Sequence, residues 1–266
     1  MKNTVNFLGI IALVAVIGFA MTACGGDSGG DDDGGNAFLG SKLEISGKQV
    51  YTEDYTDAGI SYKQYTGSVD IDSSIEGDGA ITGGKLTHTI GTPAYLTAIR
   101  EVSEFDYYWG NWNNVTISDA NVKAYVLTLF TTNYDYLHKE NSTFKMSGTS
   151  ISGTDEEVTY VYVDGDVTIS GTGKTTTYNE TYEGVTYKDT LKTNNFNLSL
   201  KQGWNAVYRK ITGSGTMTAT SETVNDTMSL SLSNPNLKWV IDSYDDYDYS
   251  VLGPPKALKR LPRIGN

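Results

Sequence analysis

From Leu43 onward, apolar residues recur with a period of two over short stretches, the spacing of strands that bury one face. Leu43-Glu44-Ile45 and Val50-Tyr51 begin the first strands, and residues 61–71 follow with Tyr62, Tyr65, Val69 and Ile71 as apolar points. In Ile81-Thr82-Gly83-Gly84-Lys85-Leu86 the Gly-Gly pair suits the positive φ angles of a two-residue type I′ turn, which sets Ile81 opposite Leu86. Leu86, His88 and Ile90 then share one face, so His88 is expected in the core with its ring hydrogen-bonded. Thr92-Pro93 changes the period. Thr suits an N-cap and Pro the first helical position, and Leu96, Ile99, Val102 and Phe105 recur at roughly helical spacing. The spacing predicts a helix that stops before Trp109-Gly110-Asn111-Trp112.

Residues 115–117 and 122–130 are the next strands. In the second, Val122, Ala124, Val126 and Phe130 lie on one face and Tyr125, Leu127 and Leu129 on the other, which predicts burial on both sides. Asp164-Gly165 predicts a tight hairpin turn setting Tyr162 opposite Val167 and Tyr160 opposite Ile169. Tyr182-Glu183-Gly184-Val185 is another candidate turn, and Lys201-Gln202-Gly203 predicts a three-residue hairpin loop. Val224, Met228, Leu230 and Leu232 share a face, and Leu237, Trp239 and Ile241 return as the last strand after a turn at Asn234-Pro235-Asn236.

These elements predict an all-β fold, a mostly antiparallel β-sandwich with one short inserted helix, occupying residues 41–242 as one domain. A polar stretch at 139–147 is where that span would divide into two. Composition agrees: 29 Gly and 19 Tyr, with abundant Thr and Ser, suit strands and tight turns. A span of this size can bury about 70% of its unfolded surface.

The beginning of the chain has a different pattern. One cation, Lys2, precedes an almost unbroken apolar run over residues 7–23, followed by Cys24 and Gly25-Gly26. This is the layout of a secretory signal peptide, and the run falls short of the roughly 20 residues of a membrane span. Met21-Thr22-Ala23-Cys24 resembles the lipobox of bacterial lipoproteins, in which small residues precede a Cys; Met21 departs from the Leu preferred there. The resemblance covers residues 1–24. It implies that residues 1–23 are removed, that the Cys24 thiol receives a diacylglycerol, and that the new amine is acylated in turn by a fatty chain such as palmitate. It also implies export to the outer membrane, because the residue after Cys24 is Gly25 and not Asp. Residues 24–40 then read as a Gly/Asp-rich flexible tether, and 243–266 as an acidic-aromatic and then basic tail with little order. The Leu200-Lys201-Gln202-Gly203-Trp204-Asn205 pattern is similar to a turn of secreted bacterial β-domains, and the mature chain resembles secreted β-sandwich lipoproteins of no specific family.

Cys24 is the sole cysteine, so a lipidated chain has no disulfide, thiol nucleophile or cysteine metal site. Removing residues 1–23 leaves 19 Lys+Arg against 32 Asp+Glu, a net charge of −13 that disfavours nucleic acid. No cofactor or metal motif is present. Asp164 and Asp166 lack the acidic run of a calcium loop and are accounted for by the turn. The two histidines, His88 and His138, stand apart from any nucleophile motif, and His138 is expected in a polar loop. Glu101 with Glu104 reads as a solvated helix face and Glu156 with Glu157 as a loop, so neither marks a glycosidase pair. The strongest candidate ligand site is Tyr108, Trp109, Asn111 and Trp112, where flat rings beside amides suit sugar rings. The expected function is a lipid-anchored cell-envelope protein that binds or coats without catalysis. A carbohydrate-binding module of a polymer-scavenging system is the alternative, followed by an envelope hydrolase.

Overall fold

Alternation is strictest in Lys85–Ile90, where Lys85, Thr87 and Thr89 are exposed and Leu86, His88 and Ile90 buried. The structure, a computed structural model, describes residues 36–56, 59–72, 77–101, 115–182 and 184–242. The first nine strands are β1 (Phe38–Gly40), β2 (Leu43–Thr56), β3 (Gly59–Gln64), β4 (Val69–Asp70), β5 (Asp78–Thr82), β6 (Lys85–Ile90), β7 (Thr97–Ala98), β8 (Val115–Ile117) and β9 (Lys123–Val126). The remainder are β10 (Leu129–Phe130), β11 (Tyr136–Ser147), β12 (Ser150–Val163), β13 (Val167–Gly171), β14 (Lys174–Tyr182), β15 (Val185–Thr193), β16 (Phe196–Leu200), β17 (Gly203–Met217), β18 (Ser221–Leu232) and β19 (Lys238–Asp242).

Sixteen strands form one sheet whose main path runs β14-β15-β18-β17-β12-β11-β19-β2-β6-β5-β4, and β16-β13-β8 form a second. Pairing is antiparallel except for β15 with β18 and β19 with β2. The large sheet turns back on itself, so that Leu43, Ile45, Val50, Ile81 and Leu86 share a core with residues of β11, β12, β17 and β19. The small sheet covers the opposite face, where Val167, Ile169, Leu198 and Leu200 meet Val161, Val163 and Val207. The result is the expected all-β, mostly antiparallel sandwich.

β12 is the spine. Val158, Tyr160 and Tyr162 enter the first core, while Val161 and Val163 enter the second. Trp204, directly across from Tyr162, is fully buried, and its indole N–H donates to Gly91 O at 2.9 Å. The rings of Tyr162 and Tyr125 meet it edge-on at 5.5 and 6.3 Å, a favoured aromatic geometry.

The Gly83-Gly84 hairpin forms as predicted, with φ of +56° and +77° and Ile81 opposite Leu86. The Asp164-Gly165 hairpin does not. Asp164 is instead tied to β9, donating its N–H to Lys123 O and accepting the Lys123 N–H at Oδ1. Past this point the chain changes sheets, and β13 pairs with β16 and β8. Tyr160 and Tyr162 therefore lie in one core, and Val167 and Ile169 in the other. Lys201-Gln202 likewise crosses between sheets. The Asn205 amide caps the crossing by donating to Lys201 O and Gly203 O, and its Oδ1 accepts the Lys201 N–H.

Of the predicted helix, residues 93–101 are described and hold β7 and a 3-10 turn, Ile99–Glu101, while residues 102–108 lie outside the described residues. Thr97 and Ala98 pair with Ala124 and Lys123, and Ile99 N–H donates to Val122 O, so sheet pairing overrides the helical spacing. Residues 139–147, where a division was considered, lie inside β11 and pair with β12 through a turn at Gly148 (φ +61°).

Candidate functional site: a charged belt on the sheet

The side chains with most chemical potential lie on one face of β11, β12, β17 and β18, between two apolar regions. Register explains why they meet. Glu140 is opposite Glu157, which is opposite Arg209; Ser142 is opposite Asp155, which is opposite Ile211. Residues at every second position share a face, so His138, Glu140 and Ser142 line up beside Asp155 and Glu157.

Arg209 is buried and reaches Asp155 Oδ2 at 3.1 Å and Glu157 Oε2 at 2.5 Å. Asp155 also accepts the Ser142 hydroxyl at 3.0 Å. His138 Nε2 lies 2.7 Å from Glu140 Oε2, both groups buried, and the Tyr136 ring packs 4.8 Å from the imidazole. The Tyr62 hydroxyl, from β3, accepts the Ser142 N–H at 2.5 Å. Burial, then the charge of Glu140, pushes that phenol well above its ordinary pKa. The belt ends at Asp226, 5% exposed, whose Oδ1 has no hydrogen-bond partner among the described residues. Burial first, then the charges of Asp189 and Asp155, raises its pKa to about 7. Asp189 is raised by burial, and Glu222 by burial and Asp189.

This arrangement holds charges more than it exposes them. Ser142 and His138 stand four residues apart on one strand, about 13 Å, so they cannot form a nucleophile–base pair. Glu156 and Glu157 lie in β12, not in a loop, and point to opposite faces. Glu157 meets Arg209, while Glu156 accepts from Tyr208 Oη and from Lys210 Nζ at 3.1 Å. Hydrogen bonds from Tyr208, Lys210 and Asn141 hold the Glu156 carboxyl below its ordinary range against the opposing effect of burial. Among the described residues no group of three His, Cys, Asp or Glu side chains has the geometry to hold a metal ion. A cavity of about 70 Å³ opens where the neighbour of β12 changes from β11 to β9, lined by Thr128, Tyr136, His138, Glu157 and Thr159 among others. It has room for water but not for a sugar ring.

His138 is therefore a buried strand residue, not the loop residue expected. Its polar neighbours made the segment look like a loop, and they are polar because they serve the belt. His88 is fully buried as expected. Its ring packs on Gly79, directly across the ladder, where a Cβ would sit 1.9 Å from Nδ1. Burial pushes its pKa below the ordinary histidine value, with Asp78 opposing. Cys24 and the aromatic set Tyr108, Trp109, Asn111 and Trp112 lie outside the described residues. The chain on either side of 102–114 ends in Glu101 of the 3-10 turn and Val115 of β8.

Arg209 and Asp226 were missed by pattern reading, although a signal existed. Arg209 shares strand phase with Val207 and Ile211, and Asp226 with Val224 and Met228, so both fall on buried faces. No family model matches the chain, and no curated protein and no solved structure matches it.

Proposed function

We propose that the protein is a lipid-anchored component of the cell envelope, directed to the outer membrane, whose β-sandwich binds or coats without catalysis. The observation that carries this is the Met21-Thr22-Ala23-Cys24 sequence followed at once by a Gly/Asp-rich stretch. The start of the fold is consistent with it: Ala37 O accepts the Ala206 N–H at 2.7 Å, and Phe38 pairs with Asn205. Residues 25–35 then lie between the lipid site and the sheet, a span of eleven. A Gly-rich chain of that length has a root-mean-square reach of about 18 Å and at most about 40 Å. The sandwich would sit close to the bilayer surface while turning freely. Two or three acyl chains, at about 0.8 kcal/mol per buried CH2, hold such a protein firmly. The non-catalytic side is supported by the centre of the belt, where Arg209 engages Asp155 and Glu157.

Replacing Cys24→Ser is expected to abolish incorporation of labelled fatty acid into the protein; incorporation that persists in the variant would refute the anchor. The carbohydrate-binding alternative rests on Tyr108, Trp109, Asn111 and Trp112, and glycan-array binding that disappears in Trp109→Ala and Trp112→Ala would favour it over a coat.

A further inference from the structure

β14 ends the large sheet. Its nine residues, Lys174-Thr175-Thr176-Thr177-Tyr178-Asn179-Glu180-Thr181-Tyr182, pair with β15 in an unbroken register and with no other described strand. Two residues separate Tyr182 from Val185, so that pair is hydrogen-bonded and the pairs alternate from there. Thr177 with Thr190 and Thr181 with Thr186 are then non-hydrogen-bonded pairs, in which side chains approach most closely. Their hydroxyls lie 3.3 and 3.4 Å apart, in keeping with that phase. The backbone N–H and C=O groups of Thr175, Thr177, Asn179 and Thr181 therefore point away from β15, and all four residues are exposed.

Natural sheets blunt such an edge with proline, bulges, several charges or brevity. The opposite end of this sheet, β4, is two residues long. β14 has neither proline nor glycine, no bulge, one cation and one anion, and it is dominated by strand-forming Thr and Tyr. Tyr178 is 46% exposed on it.

We infer that β14 joins the β14 of a second copy of this chain, antiparallel about a two-fold axis at Thr177. Among the two-fold registers that join outward-pointing backbone groups, only this one sets Lys174 against Glu180, and symmetry makes that pair twice. It also sets Thr175 against Asn179 and Thr176 against Tyr178. Three cross-strand pairs, Thr177 with its own copy and Thr175 with Asn179 in both directions, exchange six backbone hydrogen bonds.

Sedimentation of the full chain at concentrations up to about 0.1 mM is expected to show reversible dimers. Thr177→Pro removes an outward N–H without touching the β15 ladder; it abolishes the dimer and leaves the thermal transition in place. Lys174→Glu weakens the dimer about tenfold, and adding Glu180→Lys restores it. Thr177→Cys yields a disulfide-linked dimer, since paired Cα atoms there lie about 5.5 Å apart. Asn179→Cys, whose copies lie about 14 Å apart in this register, does not. The unsubstituted chain, run alongside, reports any link made through Cys24. A chain that stays monomeric over that range, a dimer indifferent to Thr177→Pro, a charge swap that fails to restore, or linkage through Asn179→Cys in preference to Thr177→Cys overturns the proposal.

Discussion

Asp226 carries a carboxyl among other carboxylates, out of water and without a described hydrogen-bond partner on Oδ1. Its pKa is raised from 3.8 to about 7 in the folded chain, so the folded state holds a proton that the unfolded state releases. The sign follows: the contribution to stability is fully present below pH about 4, declines as pH rises, and is gone above pH about 7. Asp226→Asn supplies a neutral group of the same shape. The variant is expected to melt at a higher temperature than the parent at pH 8, by the equivalent of a few kcal/mol, and the difference should shrink towards pH 4. Thermal melts at the two pH values check this, and a constant difference would contradict it. Arg209 is the converse case. Its guanidinium answers the buried Asp155 and the half-buried Glu157, which come from a strand more than fifty residues earlier, so neither partner is visible from the sequence around Arg209.

Local signals decided which elements could be read. The Gly83-Gly84 hairpin was legible down to its register because turn and flanking apolar residues sit within six positions. Gly84 is held there by more than its φ of +77°: an added Cβ would come within 1.8 Å of Tyr65 O, and Gly84 O accepts the Val50 N–H. Gly84→Ala is therefore expected to lower stability by roughly 1–3 kcal/mol, read as a reduced denaturation midpoint, whereas Gly91→Ala, with open space around its Cβ, should cost far less. The Asp164-Gly165 signal was equally strong and pointed to the wrong partner. Which strand β13 joins depends on β16 and β8, some 30 and 50 residues away in either direction, and on the tie between Asp164 and Lys123. β11 was hidden for another reason. Its apolar period is broken by His138, Glu140 and Ser142, buried residues of which the first two pair with each other and Ser142 is matched by Asp155 of β12 and by Tyr62 from β3. In the described part of the predicted helix, residues 93–101, helical spacing is outweighed by pairing of Thr97 and Ala98 with β9.

For the whole molecule, the two cores on either side of β12 explain how a chain with one cysteine holds together without a cross-link. The all-β sandwich was legible because alternation repeats along most of the chain. The belt was not, since it is assembled from strands distant in sequence. On the proposed anchor, a short tether and an open sheet edge act together. Confinement to a membrane raises the effective concentration of neighbouring copies, so the β14 contact expected in solution at up to about 0.1 mM would be populated there at a lower bulk concentration. The anchor is thus the claim on which the biological setting depends. The most direct test is the intact mass of the protein purified from the cells that make it. The expected mass is that of a chain beginning at Cys24, with a diacylglyceryl thioether on its sulfur and an acyl group on its amine. A mass that retains residues 1–23, or one showing an unmodified Cys24 thiol, would contradict it.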